Sequence, residues 1–203
     1  MKNTVRLIRS RFKSAAAFSF LILVATFIPF HSIAQDSLSF TAIVEIPAGT
    51  NVKWEYDYEK DEMSVSRDDG QERVIDYLPY PGNYGFLQGT YQDPEKGGDG
   101  DALDVIIISE SVQKETTVSV IPIAVLELID SGEKDDKIIA IPANPDLQIV
   151  HAESLEELNK DYPGIIEIIQ TWFLNYKGPG MMELTNTGDE KRAIEVIREN
   201  TAP

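Results

Sequence analysis

The chain has 203 residues, a formal net charge of −16, no cysteine and two histidines. Disulfides, thiol chemistry and cysteine-held metals are excluded. Nucleic-acid binding is disfavoured as well, because so acidic a surface repels a phosphodiester backbone.

Taken in chain order, "MKNTVRLIRSRFK" carries five basic residues and no acid, "SAAAFSFLILVATFIPF" is apolar, and Ser32-Ile33-Ala34 is a small-x-small ending. This pattern predicts a signal peptide over residues 1–34, cleaved after Ala34, and one mature domain over 35–203. The apolar run is shorter than the ~20 residues that span a bilayer comfortably, and Pro29 interrupts it, which argues against a retained anchor. The expected product is exported, periplasmic or secreted, with no membrane attachment after cleavage. Loss of the five basic residues takes its charge to about −21.

The first half of the mature chain reads as strands: "LSFTAIVEIP" (38–47), "VKWEYDY" (52–58) and "MSVSR" (63–67). "DYLPYPGNYGFLQGTY" (76–91) and "QDPEKGG" (92–98) are rich in turn residues and read as loops. "LDVIIIS" (103–109), "TTVSVIPIAVLELID" (116–130) and "KIIAIPA" (137–143) are apolar enough for buried strands. Helices follow. "SLEELNK" opens with a capping box, Ser154 with Glu157. "PGIIEIIQTWFLNYK" (163–177) sets Ile165, Ile168, Ile169, Trp172 and Phe173 on one face. "TGDEKRAIEVIREN" (187–200) has a second capping box, Thr187 with Glu190, and a stripe of Ala193, Ile194 and Ile197. Short strands followed by helices predict an α+β, mainly β, domain around an antiparallel sheet or small barrel.

Chemistry concentrates in "GGDGDALDVIII", where Asp99, Asp101 and Asp104 crowd the mouth of a strand. Converging carboxylates raise one another's pKa unless cations compensate, and hard divalent ions suit this oxygen set. An EF-hand does not fit: Glu110 has the right spacing, but Asp104 stands where that loop needs glycine, and the flank is β-like. A looser calcium site and a solvated acidic turn both stay open on this stretch alone. Asp130, Asp135 and Asp136 end another apolar strand, and Glu45 and Glu55 lie within strand patterns. The sparse cations Lys53, Arg67, Lys137 and Lys177 fall beside these acids, with Tyr80 and Tyr84 in "YPGNYG" and Tyr176 before Lys177. Lys177 alone would be explained by the dipole at a helix C-terminus. Taken together, carboxylates, metals and basic side chains can hold a polyanion and activate water, since coordination lowers water's pKa from about 15.7 to ~7. One carboxylate is left as base. This is the pattern of a phosphoryl-transfer hydrolase that needs no histidine, serine or cysteine nucleophile.

"VEIP", "KWEYD", "YPGNYG", "DGDALD", "IDSGEKDDK" and "WFLNYKG", in that order, resemble the soluble family I inorganic pyrophosphatases over residues 39–200. "DGDALD" is the most specific piece, close to that family's D-x-D-P-x-D. The resemblance implies a five-stranded OB-like β-barrel with peripheral helices. It also implies hydrolysis of pyrophosphate to two phosphates with several Mg2+ ions, Mn2+ or Zn2+ being able to substitute. On matching positions, Asp101 is similar to the general base, with Tyr80 supporting the site. Asp99, Asp104, Asp135, Asp130, Glu45 and Glu55 are similar to the metal-site carboxylates, Glu55 acting through water. Lys53, Arg67, Tyr84, Lys137, Tyr176 and Lys177 are similar to the phosphate-binding set. Pyrophosphate is the implied partner, and family members form homo-oligomers, hexamer or dimer. Ala102 departs from the pattern, standing at the signature's proline. The rival reading is a non-catalytic calcium-binding or OB-like binding module. Such a module has no need of so many cations beside the acids.

Overall fold

The structure, a computed structural model, describes residues 38–57 and 60–202; the predicted signal peptide and its cleavage point lie outside them. Strand β1 is Phe40–Ile46. Two hairpins follow, β2 (Trp54–Asp57) with β3 (Glu62–Val65) and β4 (Arg67–Asp68) with β5 (Gln71–Glu72). Next come β6 (Asn83–Leu87), β7 (Asp104–Ile107), β8 (Thr117–Asp130), β9 (Glu133–Lys134) and β10 (Lys137–Pro142). Helices α1 (Leu155–Asp161) and α2 (Ile165–Asn175), strand β11 (Met182–Asp189) and helix α3 (Glu190–Glu199) complete the order. No helix among the described residues is long and apolar enough to cross a membrane.

Five strands close on themselves in the order β1-β6-β7-β10-β8, and β8 returns to β1. The ring is the predicted mainly-β, OB-like barrel. Its longest stave, β8, and the wholly buried β10 are runs rich in β-branched residues, which favour a pleated, buried surface. One joint, β7 with β10, is parallel, with Lys137 opposite Asp104; the other joints are antiparallel. Alternate residues pack to opposite faces. Val105, Ile107, Ile138 and Ala140 join a core with Ala193, Val196 and Ile197 of α3. Ile106, Ile139 and Ile141 join another, with Ile166, Ile169, Trp172 and Phe173 of α2.

Several expectations are corrected. Asn83–Leu87 is a wholly buried ring strand rather than loop. Its glycine explains the composition: a Cβ on Gly85 would lie 1.9 Å from the Ile43 carbonyl oxygen, so the approach of β1 to β6 at this point leaves no room for a side chain. Thr187 does not cap α3. It belongs to β11, and the cap is Asp189, whose side chain accepts from the N–H groups of Lys191 and Arg192. Ser154 does cap α1 by accepting from Glu157 N–H at 3.2 Å, but the Glu157 carboxylate reaches Glu153 N–H instead of closing the box. On α2, Ile166 is buried in place of Ile168, which is 61% exposed.

Candidate active site

The three aspartates sit on a loop anchored at many points. Gln92 N–H donates to Asp101 O at 2.7 Å, Gly100 N–H to Gln92 O at 2.9 Å, and Leu103 N–H to the Thr90 hydroxyl at 2.9 Å. Asp99 turns back to accept from Asp101 N–H at 2.9 Å. Gly98 allows the tightest approach, since a Cβ there would fall 2.5 Å from the Gln92 carbonyl carbon. The same loop is tied to the second acidic segment: Lys134 N–H donates to Gly97 O at 2.7 Å, beside the Gly98–Lys134 bridge. The two carboxylate-bearing segments, 99–104 and 130–135, are thus held against each other by backbone.

Strand register supplies the rest. The parallel β7–β10 pairing puts Lys137 beside Asp104, and the buried Lys137 ammonium pairs with both Asp104 and Asp135. Tyr84, on β6, donates its hydroxyl to the same Asp104 at 2.5 Å. Glu45 is a carboxylate inside a strand, where an outward orientation is the norm. It is buried because β1 bulges there: Val44 faces Gly85 and Ile46 faces Tyr84, leaving Glu45 without a partner in the ladder. A bulge re-aims a side chain, and Glu45 accepts from Tyr56 N–H at 2.9 Å on the neighbouring hairpin. That hairpin brings Lys53 and Glu55, which pair at 2.9 Å. At the end of α2, Tyr176 and Lys177 reach the other wall, and Lys177 pairs with Asp130; ion pairing, and not only the helix dipole, places this lysine.

These groups line one cleft of about 510 Å³. It contains Glu45, Glu55, Asp99, Asp101, Asp104, Asp130 and Asp135 among the acids, and Lys53, Lys137, Lys177, Tyr84 and Tyr176 among the donors. Tyr80 stands behind the wall, buried, with its ring 5.1 Å from Tyr84 and 4.4 Å from Trp172. Trp172 stacks in parallel on Tyr176 at 4.6 Å. Arg67 is not brought to the cleft: it is exposed on β4 and turns to Gly70 O at 3.1 Å and Glu72 at 3.4 Å. Arg73 comes closer, 4.0 Å from Glu55, held by Lys53 N–H donating to its carbonyl at 2.9 Å. Sequence reasoning missed it; the "RDDGQER" turn, which brings one of two nearby arginines back to Lys53, was the available signal.

Burial and mutual repulsion set the charges. Burial, then Asp104, push the Glu45 carboxyl up to about 8. Asp101 is raised by burial, then by Asp104 and Glu55. Asp99 is raised by burial, against the pull of its bond from Asp101 N–H. Burial opposes the charge on Lys137, but Asp104 and Asp135 outweigh it and hold the ammonium protonated. Burial also opposes charge on Asp130, yet the Lys177 bond wins and lowers its pKa. Among the described residues, no three acidic or histidine side chains already stand at ligating distance of one point. The donors nevertheless fit divalent cations. They are oxygens only, their carboxylates outnumber the lysines in the same walls, and Glu45, Asp99 and Asp101, which make no ion pair with a described lysine, all have raised pKa. Hard ions such as Mg2+ suit such a set.

A family model for inorganic pyrophosphatase matches residues 42–202. The chain is 35% identical over 152 residues to a chloroplastic soluble inorganic pyrophosphatase of Arabidopsis thaliana, covering 69% of this chain and 50% of that protein. It is 31% identical over 195 residues to the inorganic pyrophosphatase of Zygosaccharomyces bailii, covering 84% of this chain and 68% of that one. It therefore spans about half the length of the first relative and two thirds of the second. Among solved structures, the type I inorganic pyrophosphatase of Toxoplasma gondii aligns with a TM-score of 0.74 at 27% identity, over 86% of this chain and 84% of that one. An inorganic pyrophosphatase from Neisseria gonorrhoeae aligns with a TM-score of 0.64 at 26% identity, over 82% and 91%.

Proposed function

The chain belongs to the inorganic pyrophosphatase family, and from that premise we propose that it hydrolyses pyrophosphate to two phosphates with Mg2+. The observation that carries the reading is the single cleft in which Asp99, Asp101, Asp104 and Asp135 face Lys53, Lys137, Tyr176 and Lys177. Asp99, Asp104, Asp130, Asp135 and Glu45 would hold the metal ions, with Glu55 acting through water. When bound, those ions neutralise carboxylates and substrate and make water more acidic. Lys53, Lys137, Tyr84, Tyr176 and Lys177 grip the phosphate oxygens, and Arg73 takes the role first expected of Arg67. Asp101 accepts the proton of the attacking water on a carboxylate oxygen as the new O–P bond forms and the bridging P–O bond breaks. Asp101 suits this because, among the described residues, it is paired to no lysine. The buried Tyr80 braces Tyr84.

Mn2+ or Zn2+ would substitute, and the working form would be a homo-oligomer, dimer or hexamer. Residues 1–34 would direct export, placing the enzyme in the periplasm or outside the cell, where it recovers phosphate. The test is phosphate release from pyrophosphate with and without Mg2+. We expect Mg2+-dependent turnover that falls by ~10²- to 10⁴-fold in Asp101→Asn with an unchanged melting temperature, the usual contribution of a positioned base. Turnover untouched by that substitution would remove Asp101 from the mechanism. No turnover at all would favour the calcium-binding module.

A further inference from the structure

Among the described residues, six polar or charged side chains are buried: Glu45, Asn83, Gln92, Asp135, Asp136 and Lys137. Burying such a group is costly unless a partner meets it, so the partner says what the group is for. Glu45, Asp135 and Lys137 belong to the cleft. Asn83 accepts from the N–H groups of Ala48 and Val112, both at 3.0 Å, and ties two loops to β6. Asp136 accepts from Leu128 N–H at 3.2 Å. Gln92, 2% exposed, is left without a task. Its side chain donates from Nε2 to Asp99 Oδ1 at 3.4 Å, seven residues along the chain.

The backbone fixes this amide in place. Gln92 pairs with the aspartate loop itself, through its N–H to Asp101 O and its carbonyl from Gly100 N–H. Tyr91 N–H donates to Asn200 O at 2.7 Å, and Ala202 N–H to Gly89 O at 2.9 Å, so the chain beyond α3 clasps the segment that leads into Gln92. Gly98 makes room on the other side, since a Cβ there would fall 2.8 Å from Gln92 Cβ. The reverse orientation of the carboxamide would set oxygen against the carboxylate, so nitrogen is the atom that fits.

Asp99 is mounted differently. It is exposed and makes no ion pair with another described residue. Two donors set its direction, Asp101 N–H at 2.9 Å and Gln92 Nε2, both on Oδ1. One bond would let the carboxyl plane swing about it; a second, from a different segment, stops that. No described residue donates to Oδ2, and Asp99 lines the cleft. We propose that Gln92 is a positioning residue that holds Asp99 by Oδ1 and so leaves Oδ2 aimed into the cleft for a Mg2+ ion. A carboxylate already in place loses less freedom on binding, which is how a residue behind a ligand raises affinity. This rests on the reading of Asp99 as a metal-site carboxylate.

The full chain would be titrated with Mg2+ in a calorimeter without pyrophosphate, so that binding is read apart from turnover. Gln92→Met keeps length and burial and removes the donor. We expect the Mg2+ concentration at half-saturation to rise by ~10-fold, the low end for a residue that orients a metal ligand. Its melting temperature in EDTA should stay within about 3 °C of the parent's. Asp99→Ala should weaken binding as well. Adding Gln92→Met to Asp99→Ala should cost nothing further, because Gln92 acts through that carboxylate. A residue that only supports the loop would weaken both backgrounds alike. Should Gln92→Met misfold, Gln92→Asn, whose amide stops one methylene short of Asp99, decides in the same titration. Parent-like Mg2+ binding by the Gln92 variant, or an equal further loss in the Asp99→Ala background, would overturn the proposal alone. No Mg2+ binding by the parent, or parent-like binding by Asp99→Ala, would overturn the metal-site reading with it, so the two failures are distinguishable.

Discussion

Glu45 shows how a single bulge changes the chemistry available to a strand residue. Its carboxyl, raised by burial and by Asp104 to about 8 from an ordinary 4.5, favours the protonated form on folding. Its contribution to stability is therefore full below about pH 4.5 and is lost as pH rises through about 8. Divalent ions compete with that proton, so their affinity should rise over the same window. Calorimetric Mg2+ titrations at several pH values would show the rise, and Glu45→Gln should flatten it. The two arginines make a second contrast at this scale. Arg73→Ala should raise KM by ~10-fold, the worth of one charge-assisted contact, while Arg67→Ala should stay within about twofold. Steady-state phosphate release on both variants would rank them, and the reverse order would return the role to Arg67. The acids were legible in the sequence because they cluster in short motifs. Arg73 was not, because which of two arginines six positions apart reaches Lys53 depends on where the β4–β5 hairpin turns.

Among the elements, legibility followed apolar content. Strands β1, β7, β8 and β10 announce themselves as β-branched runs. β11 escaped because "MELTNTGD" is polar, and its strand character comes from pairing with β8 along Ala124–Asp130. β6 escaped because its Tyr, Gly and Asn resemble a turn, whereas the glycine answers to the closeness of Ile43. Gly85→Ala should therefore be severe, costing ~4 kcal/mol or more as β1 and β6 separate; urea denaturation would measure it. Gly98→Ala is a subtler case. Its Cβ would collide with the Gln92 backbone and push the aspartate loop away from Lys134, so Mg2+ affinity should fall more than stability does. Binding and melting measured on the same variant would separate the two effects. α2 was recognised but rotated: counting isoleucines could not tell Ile166 from Ile168, because nothing in their order says which side the barrel occupies.

For the whole molecule, the acidic excess makes stability a property shared with its ions. A cation that binds the folded cleft and not the unfolded chain adds about 2.7 kcal/mol at a concentration 100-fold above its Kd. For a domain of this size that is a rise of roughly 5–11 °C in melting temperature, at about 2–4 °C per kcal/mol. Scanning calorimetry with Mg2+ and then excess EDTA should show the rise and its reversal, and Asp104→Asn should blunt it. A matching dose of monovalent salt should do much less, since screening weakens long-range repulsion without filling a site.

The parallel joint between β7 and β10 has a consequence for how the chain is made. Lys137 cannot meet Asp104 until β8 has run out and back, and the last stave of the ring ends at Pro142. Synthesis must pass Pro142 before the sheet can close. Until then the aspartates of residues 99–104 have neither lysine nor barrel behind them. The ring therefore closes late and nearly at once.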